Sequence, residues 1–300
     1  MRIAIAGASG LVGSAITPHL ESKGHTVLRL VRREAVDPDR EITWRPNESF
    51  IDSERLKGVD VIINLAGENI ASGRWTDEKK RRILESRVNG TRLIAETIAG
   101  MEKGPRVFLA ASASGYYGHR GDEVVDEDSP NGDDFLAEVC RKWEEASRPA
   151  ADAGIRVVNF RLGVVMTPDG GMLAKVLPIF KLGLGGKISH GDQYMPWITL
   201  DDIAVAVDHL MHTGSLEGPV NLVSPLPVTN AEFTETVGRI LGRPTIFTVP
   251  AFALKIVIGE MAVEALKSCR AVPKRLAETG FEFIHPALEL ALRDVLERED

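Results

Sequence analysis

Cysteine is nearly absent from this chain: Cys140 and Cys269 are the two in 300 residues, far apart and outside any metal-ligand spacing. That rules out a disulfide framework and a thiolate metal centre, and it fits a reducing compartment. Long apolar runs are missing as well. Lys255 interrupts the best candidate, Ala251–Ile258, far below membrane-spanning length. The opening Met1-Arg2 is followed by four apolar residues, too few for the core of a signal peptide, so a cytoplasmic location is expected. Positive charge is not in excess either. With 36 Lys and Arg against 43 Asp and Glu, the formal charge of −7 argues against nucleic acid or an anionic membrane as the main partner. An anionic small molecule remains compatible, because a local patch decides that. Tyrosine is scarce too, at three residues, few enough to search one by one for a catalytic pattern.

The content of the chain begins with a strand-like run, Ile3-Ala4-Ile5-Ala6, that stops at Gly7-Ala8-Ser9-Gly10-Leu11-Val12-Gly13. Three glycines spaced three apart, after a strand and before an amphipathic helical pattern (Leu11, Ile16, Leu20), predict a dinucleotide cradle. Gly7 permits the sharp turn, Gly10 lets backbone approach a pyrophosphate, and Gly13 lets helix pack on strand. Ser9, Leu11 and Val12 complete the expected cofactor-binding turn, with the phosphates on the helix N-terminus.

Strand-like and helix-like segments then alternate. Strands are expected at 2–6, 26–31, 59–65, 107–111 and 155–161, and helices at 11–23, 77–101 and 135–153. Val- and Ile-rich strands with little polar alternation belong to a parallel sheet covered on both faces. The fold class is therefore α/β, a Rossmann-type doubly wound parallel sheet with a smaller C-terminal substrate-side domain. We place the dinucleotide-binding domain at 1–165, with 200–225 returning to it through a helix opened by Asp201-Asp202 and running to His212. The smaller domain takes 166–300, with helices near 231–241, 251–266 and 286–297.

The second strand ends in Arg32-Arg33, where a cradle that prefers NAD carries a carboxylate. Guanidinium groups there offer a 2′-phosphate forked, charge-assisted hydrogen bonds, so both arginines are assigned to NADP(H).

Two strand ends carry more specific motifs. Ile63-Asn64-Leu65-Ala66-Gly67 and Leu109-Ala110-Ala111-Ser112-Ala113-Ser114-Gly115-Tyr116-Tyr117-Gly118, with the glycine turn, resemble the extended short-chain dehydrogenase/reductase superfamily of nucleotide-sugar epimerases and dehydratases. Several further stretches resemble its atypical "epimerase family protein" branch, whose C-terminal part is a domain of unknown function. They are Glu68-Asn69-Ile70, Arg74-Trp75, Leu182-Gly183-Leu184-Gly185-Gly186, Trp197-Ile198 and Val272-Pro273-Lys274-Arg275-Leu276. The resemblance implies that Leu65, Ala66 and Gly67 lie beside the adenosine and pyrophosphate. It also implies that Arg87 faces the cofactor from the long helix, with Arg82 a turn earlier, and that Val164 and Val165 lie near the nicotinamide. The run Lys79-Lys80-Arg81-Arg82 otherwise reads as a solvated helix face.

The superfamily moves its hydroxyl proton with a Tyr followed four residues later by Lys, both on one helix face. That pair is missing here. Four residues beyond the three tyrosines stand Arg120, Gly121 and Ile198. Alignment of the helix through Glu144 puts Leu136 where Tyr belongs and Cys140 where Lys belongs. Ser112, preferred over Ser114, and Tyr117 are the remaining catalytic candidates, with Tyr116 or an ordered water as alternatives. The stretch from Lys181 to Trp197, with Lys187, His190, Gln193 and Tyr194, is expected to form the opposite wall of the cleft.

The resulting expectation is an NADP(H)-dependent oxidoreductase or epimerase-like enzyme acting on a small polar or nucleotide-linked substrate. A non-catalytic NADPH-sensing regulator is the alternative of a different class. A conventional nucleotide-sugar epimerase is disfavoured by the missing acid/base pair. No metal site is expected, and a homodimer is compatible with the sequence.

Overall fold

The apolar runs become the middle of one eight-stranded sheet in the computed structural model, which describes residues 1–297. In chain order the strands are β1 (Arg2–Ala6), β2 (Thr26–Val31), β3 (Glu41–Arg45), β4 (Phe50–Ile51), β5 (Val61–Asn64), β6 (Val107–Ala113), β7 (Arg156–Leu162) and β8 (Gly218–Leu222). Across the sheet they run β8-β7-β6-β5-β1-β2-β3-β4, and every neighbouring pair is parallel except β3 with β4. In β1, Ile3 and Ile5 enter one core cluster while Ala4 and Ala6 enter another. Burial on both faces is the reason the strand sequence shows no polar alternation. The winding direction reverses between β1 and β5, and the loops leaving these two strands meet above that switch point. In open α/β sheets a ligand crevice is expected at such a switch point, at the carboxyl ends of the strands.

The main helices are α1 (Leu11–Ser22), α2 (Asp77–Ala99), α3 (Phe135–Glu145), α4 (Gly171–Lys181), α5 (Leu200–His212), α6 (Asn230–Leu241), α7 (Ala251–Ile258) and α8 (Leu288–Glu297). α5 packs on α1, with Ile16, Leu20, Ile203 and Val207 in one cluster, and β8 then adds to the sheet edge beside β7. Later in the chain, Trp197 is fully buried with Leu173, Phe180, Phe233 and Leu292, and its Nε1 donates to the Leu226 carbonyl at 3.0 Å. Trp197 is thus interior packing rather than cleft wall. Among the described residues no helix is long and apolar enough to cross a membrane.

Several local expectations change. The helix expected over 135–153 breaks after Glu145, and a short turn, Arg148–Asp152, follows. Pro149 has no N–H to continue the ladder, and Ser147 Oγ donates to the Glu144 carbonyl at 2.6 Å and to Asn159 at 3.1 Å. The helix expected over 251–266 breaks at Gly259, which adopts φ +65°. Asp201-Asp202 does not cap α5. Thr199 does, accepting from the Asp202 amide at 3.1 Å, while the fully buried Asp202 carboxylate takes the Ile284 amide at 2.7 Å. Strand β3 lies outside the expected strands, and Glu41 at its head, a carboxylate, is buried.

Candidate cofactor site and adjoining cleft

The turn after β1 is shaped by two glycines that cannot be replaced cheaply. Gly7 adopts φ +82°, and its carbonyl accepts from the Gly10 amide at 3.0 Å. A Cβ on Gly13 would stand 2.2 Å from the Gly7 oxygen and 2.7 Å from Ala8 Cα. The first backbone bond of α1 runs from the Ser14 amide to the Gly10 carbonyl, so the amides of Leu11, Val12 and Gly13 have no acceptor within the helix. No side chain caps this end and no acidic residue stands in its first turn. Free N–H groups at the positive end of a helix, without a competing carboxylate, suit a pyrophosphate. Ser9 is exposed beside them.

Across the switch point, Asn64 at the end of β5 is fully buried. Its Nδ2 donates to Thr91 at 2.8 Å and its Oδ1 accepts from the Ala66 amide at 3.1 Å, so it holds the Leu65–Ala66–Gly67 loop from below. Arg87 supports the same loop from α2. Its Nη1 donates to the carbonyls of Glu68 at 3.0 Å and Ile83 at 3.1 Å, and its guanidinium lies 5.0 Å from the centre of the Trp143 ring. Burial lowers its pKa from the usual arginine value. A Cβ on Gly67 would come within 3.1 Å of Arg87 Cζ, so Gly67 is what lets Arg87 sit there.

Arg82 is exposed and pairs with acids, 2.9 Å from Glu78 and 3.8 Å from Glu68. Lys79 departs from the solvated face read from the sequence. It is 3% exposed, with Nζ 2.6 Å from both Glu68 and Ser72. Val164 and Val165 are partly buried and begin a short strand that pairs with Trp197–Thr199. The Gly170-Gly171 turn beyond them closes on Leu11, with a Gly170 Cβ position 3.0 Å from its Cδ1.

The two arginines after β2 part company. Arg33 forms a two-pronged pair with Glu41, at 2.8 and 2.7 Å, and Glu41 also accepts from the Val36 amide at 3.0 Å. The Arg33 hydrogen bonds, followed by that of Val36, hold the Glu41 carboxyl at a pKa of about 2. Arg33 thus anchors the 34–41 loop through Glu41, although its side chain stays half exposed. Arg32 is exposed and engages no side chain among the described residues.

The catalytic candidates sit in a different setting from the one expected. Ser112 is 2% exposed, and its Oγ donates to Glu144 at 2.7 Å. The same carboxylate takes Arg161 Nε at 2.8 Å and Nη2 at 2.9 Å, and Arg161 Nη1 donates to the Tyr117 hydroxyl at 3.0 Å. Tyr117 in turn donates to Asn221 Oδ1 at 2.7 Å. Burial raises the Tyr117 pKa well above the usual phenol value despite Arg161. With its ring fully buried and its oxygen spent on both sides, Tyr117 faces this network and not the cleft, which corrects the proton-transfer role given to it. Ser112 is likewise a member of the network. Burial pushes the Cys140 thiol up to about 12, so it supplies neither thiolate nor cation. Leu136 packs 3.5 Å from the Cβ position of Gly115, beneath the loop where a catalytic phenol would act.

What remains on that loop is Tyr116, half-buried, with the Arg161 guanidinium 3.4 Å from its ring centre and no hydrogen bond to its hydroxyl among the described residues. In the stretch expected to form the facing wall, Lys187 and His190 are exposed, and Tyr194 is half-buried with Arg270 4.8 Å from its ring centre. Gln193 is buried and donates to the carbonyls of Ile188 and Ala265, so it is wall structure. Sequence reasoning missed Glu144, Arg161 and Asn221 as a unit. The available signal was an arginine near the end of a strand that is buried along most of its length, which is costly unless a buried acid answers it.

The family model described as "NAD dependent epimerase/dehydratase family" matches residues 3–222, and a domain of unknown function, DUF1731, matches residues 249–295. A Mycobacterium bovis protein named epimerase family protein Mb2239 is 44% identical over 291 residues, covering 97% of this chain and 96% of its own. The crystal structure of human epimerase family protein SDR39U1 (isoform 2) with NADPH superposes with a TM-score of 0.91 at 34% identity, covering 99% of each chain. A Corynebacterium glutamicum nucleoside-diphosphate sugar epimerase, 36% identical, superposes with a TM-score of 0.81 over 98% of this chain and 58% of that one.

Proposed function

This chain belongs to the NAD dependent epimerase/dehydratase family, and from that premise we propose that it is an NADP(H)-dependent oxidoreductase of the atypical short-chain class. Its substrate would be small and polar, anionic or nucleotide-linked. The observation that carries the cofactor reading is the uncapped, acid-free start of α1 beneath Gly7, Gly10 and Gly13, with Arg32 left available at the end of β2. The NADPH bound to the human relative supports the choice of nucleotide. Leu11, Val12 and Gly13 amides would take the pyrophosphate, Leu65 and Ala66 the adenosine side, and Val165 the nicotinamide side. When bound, the nicotinamide supplies a hydride donor or acceptor. Tyr116, whose hydroxyl makes no hydrogen bond among the described residues, would move the accompanying proton, and Lys187 and His190 would suit an anionic substrate.

Two variants test the division of labour. Arg32→Asp should weaken NADPH binding by about ten- to a hundredfold, the cost of losing a charge-assisted contact of about 1.5–3 kcal/mol, with little change for NADH. Equal losses for the two nucleotides in calorimetry would refute the assignment. For proton transfer, Tyr116→Phe should lower NADPH turnover by about 10²- to 10⁴-fold at unchanged cofactor affinity. Tyr117→Phe should lower the melting temperature and leave turnover nearly intact. The reverse pattern would return the role to Tyr117.

A second reading is favoured by a specific observation, the replacement of the usual pair by Leu136 and an inert Cys140 together with the sealing of Ser112 and Tyr117. Under it the chain senses NADPH and turns over nothing. Steady oxidation of NADPH with any carbonyl substrate would exclude it, and C4 epimerisation of a nucleotide sugar would favour the conventional epimerase instead.

A further inference from the structure

We propose that His25, Asp208 and His212 form a binding site for a divalent transition-metal ion, at the end of the sheet away from the glycine turn. His25 lies in the turn between α1 and β2, and Asp208 and His212 stand one turn apart on the same face of α5. His25 Nε2 is 3.8 Å and His212 Nδ1 3.4 Å from one and the same oxygen, Asp208 Oδ1. The three ligand atoms all lie within 4.8 Å of one another. Zinc with nitrogen and oxygen ligands at about 2.0–2.2 Å sets ligand atoms roughly 3.0–3.6 Å apart in a tetrahedral shell. Two edges of the triangle are already close to that, and the third closes with a small side-chain movement.

The second observation is an unmet polar atom. Asp208 Oδ1 is buried and receives no hydrogen bond within the described protein. The Asp208 side chain is a quarter exposed, but this oxygen is shielded and the two imidazoles facing it stand at 3.8 and 3.4 Å without bonding it, so a cation held among the three would satisfy it. α5 ends at His212, so the negative end of its dipole adds to the attraction. Burial lowers the pKa of His25, which favours the neutral imidazole that a metal needs. Its other nitrogen, Nδ1, lies 3.2 Å from the Met1 amino group, and His212 Nδ1 now bonds the Asp208 carbonyl at 2.8 Å, a contact the ion would replace.

Two imidazoles and one carboxylate select Zn²⁺, Co²⁺ or Ni²⁺ over Mg²⁺ or Ca²⁺. Three protein ligands leave a position for water, supplied from a surface cleft of about 480 Å³ lined by Asp208, His209 and His212. The cleft is also lined by His19, whose Nε2 is another buried polar atom without a hydrogen-bond partner among the described residues. A bound ion would tie the α1–β2 turn to the end of α5, and so brace the far end of the helix whose start forms the cradle.

The test uses the full chain, stripped with a chelator and titrated with Zn²⁺ in a calorimeter, with Co²⁺ absorption as a geometric probe. One ion per chain is expected, with a raised melting temperature and tetrahedral-type Co²⁺ bands. His212→Ala, at a half-exposed position, and Asp208→Asn should each weaken Zn²⁺ binding at least tenfold while both keep wild-type NADPH affinity. Absence of one-to-one binding would overturn the proposal. So would binding that survives both variants, which would place the ion at the Asp201, His285 and Asp294 cluster instead.

Discussion

Gly13→Ala is expected to weaken NADPH binding by a factor of about 100 or more, the largest effect of any single methyl group added to this chain. The added carbon would sit 2.2 Å from the Gly7 oxygen and 2.7 Å from Ala8 Cα, both backbone atoms that cannot rotate aside. Relief requires α1 to move off β1, and that movement pulls the amides of Leu11, Val12 and Gly13 away from the position of the phosphates. Overpacking of this kind costs about 1–3 kcal/mol in stability, and a hundredfold loss in affinity corresponds to about 2.8 kcal/mol. Calorimetric titration with NADPH, beside a thermal melt, separates the two effects. Gly214→Ala serves as control, because a Cβ there meets nothing within 4 Å. A Gly13→Ala protein that binds NADPH as the parent does would remove the cradle from the cofactor site.

Glu144→Gln is expected to cost about 3–5 kcal/mol in stability, the range found when one member of a buried ion pair is removed. The Arg161 side chain is 3% exposed and that of Glu144 13%, so the guanidinium left behind stays largely out of water. Burial alone would lower the Arg161 pKa, but the Glu144 bonds outweigh it and hold the guanidinium charged. The same substitution weakens the acceptor of Ser112 and loosens the arginine that bonds Tyr117. At roughly 2–4 °C per kcal/mol for a chain of this size class, the melting temperature should fall on the order of 10 °C. The double variant Glu144→Leu with Arg161→Met should lose less than Glu144→Gln alone, because it leaves no uncompensated charge. An unchanged melting temperature in Glu144→Gln would mean that this network does not hold the end of β6.

The network also explains why a superfamily pattern fails here in a particular way. Ser112 and the tyrosine loop persist in sequence, yet in the fold they turn inward to satisfy Arg161. Arg161 sits on β7 directly beside Ser112 on β6. The phenol left outside is Tyr116, one residue earlier, and its ring lies under the same guanidinium. The end of β6 is thus an internal electrostatic structure with one tyrosine at its edge.

Some of this was legible in the residues alone, because it depends on backbone rules that act within a few positions. Gly7, Gly10 and Gly13 specify a tight strand-to-helix turn wherever they occur in that order. The unalternating apolar runs 3–6 and 107–111 can be satisfied only by a sheet buried on both faces. The absence of a Tyr-x-x-x-Lys pair is likewise a property of the string, independent of folding. What the tertiary structure decided is which charged group meets which. Arg32 and Arg33 are adjacent and chemically identical, and the approach of Glu41 from β3 takes Arg33 and leaves Arg32. Lys79 looks like its neighbours Lys80 and Arg81, until Glu68 folds over it. Tyr116 and Tyr117 are consecutive, and Arg161 and Asn221, 44 and 104 positions from Tyr117, draw one inside. In a buried site the cost of an unpaired charge is several kcal/mol, so a partner distant in sequence outweighs any local preference, and no reading along the chain can see that partner arrive.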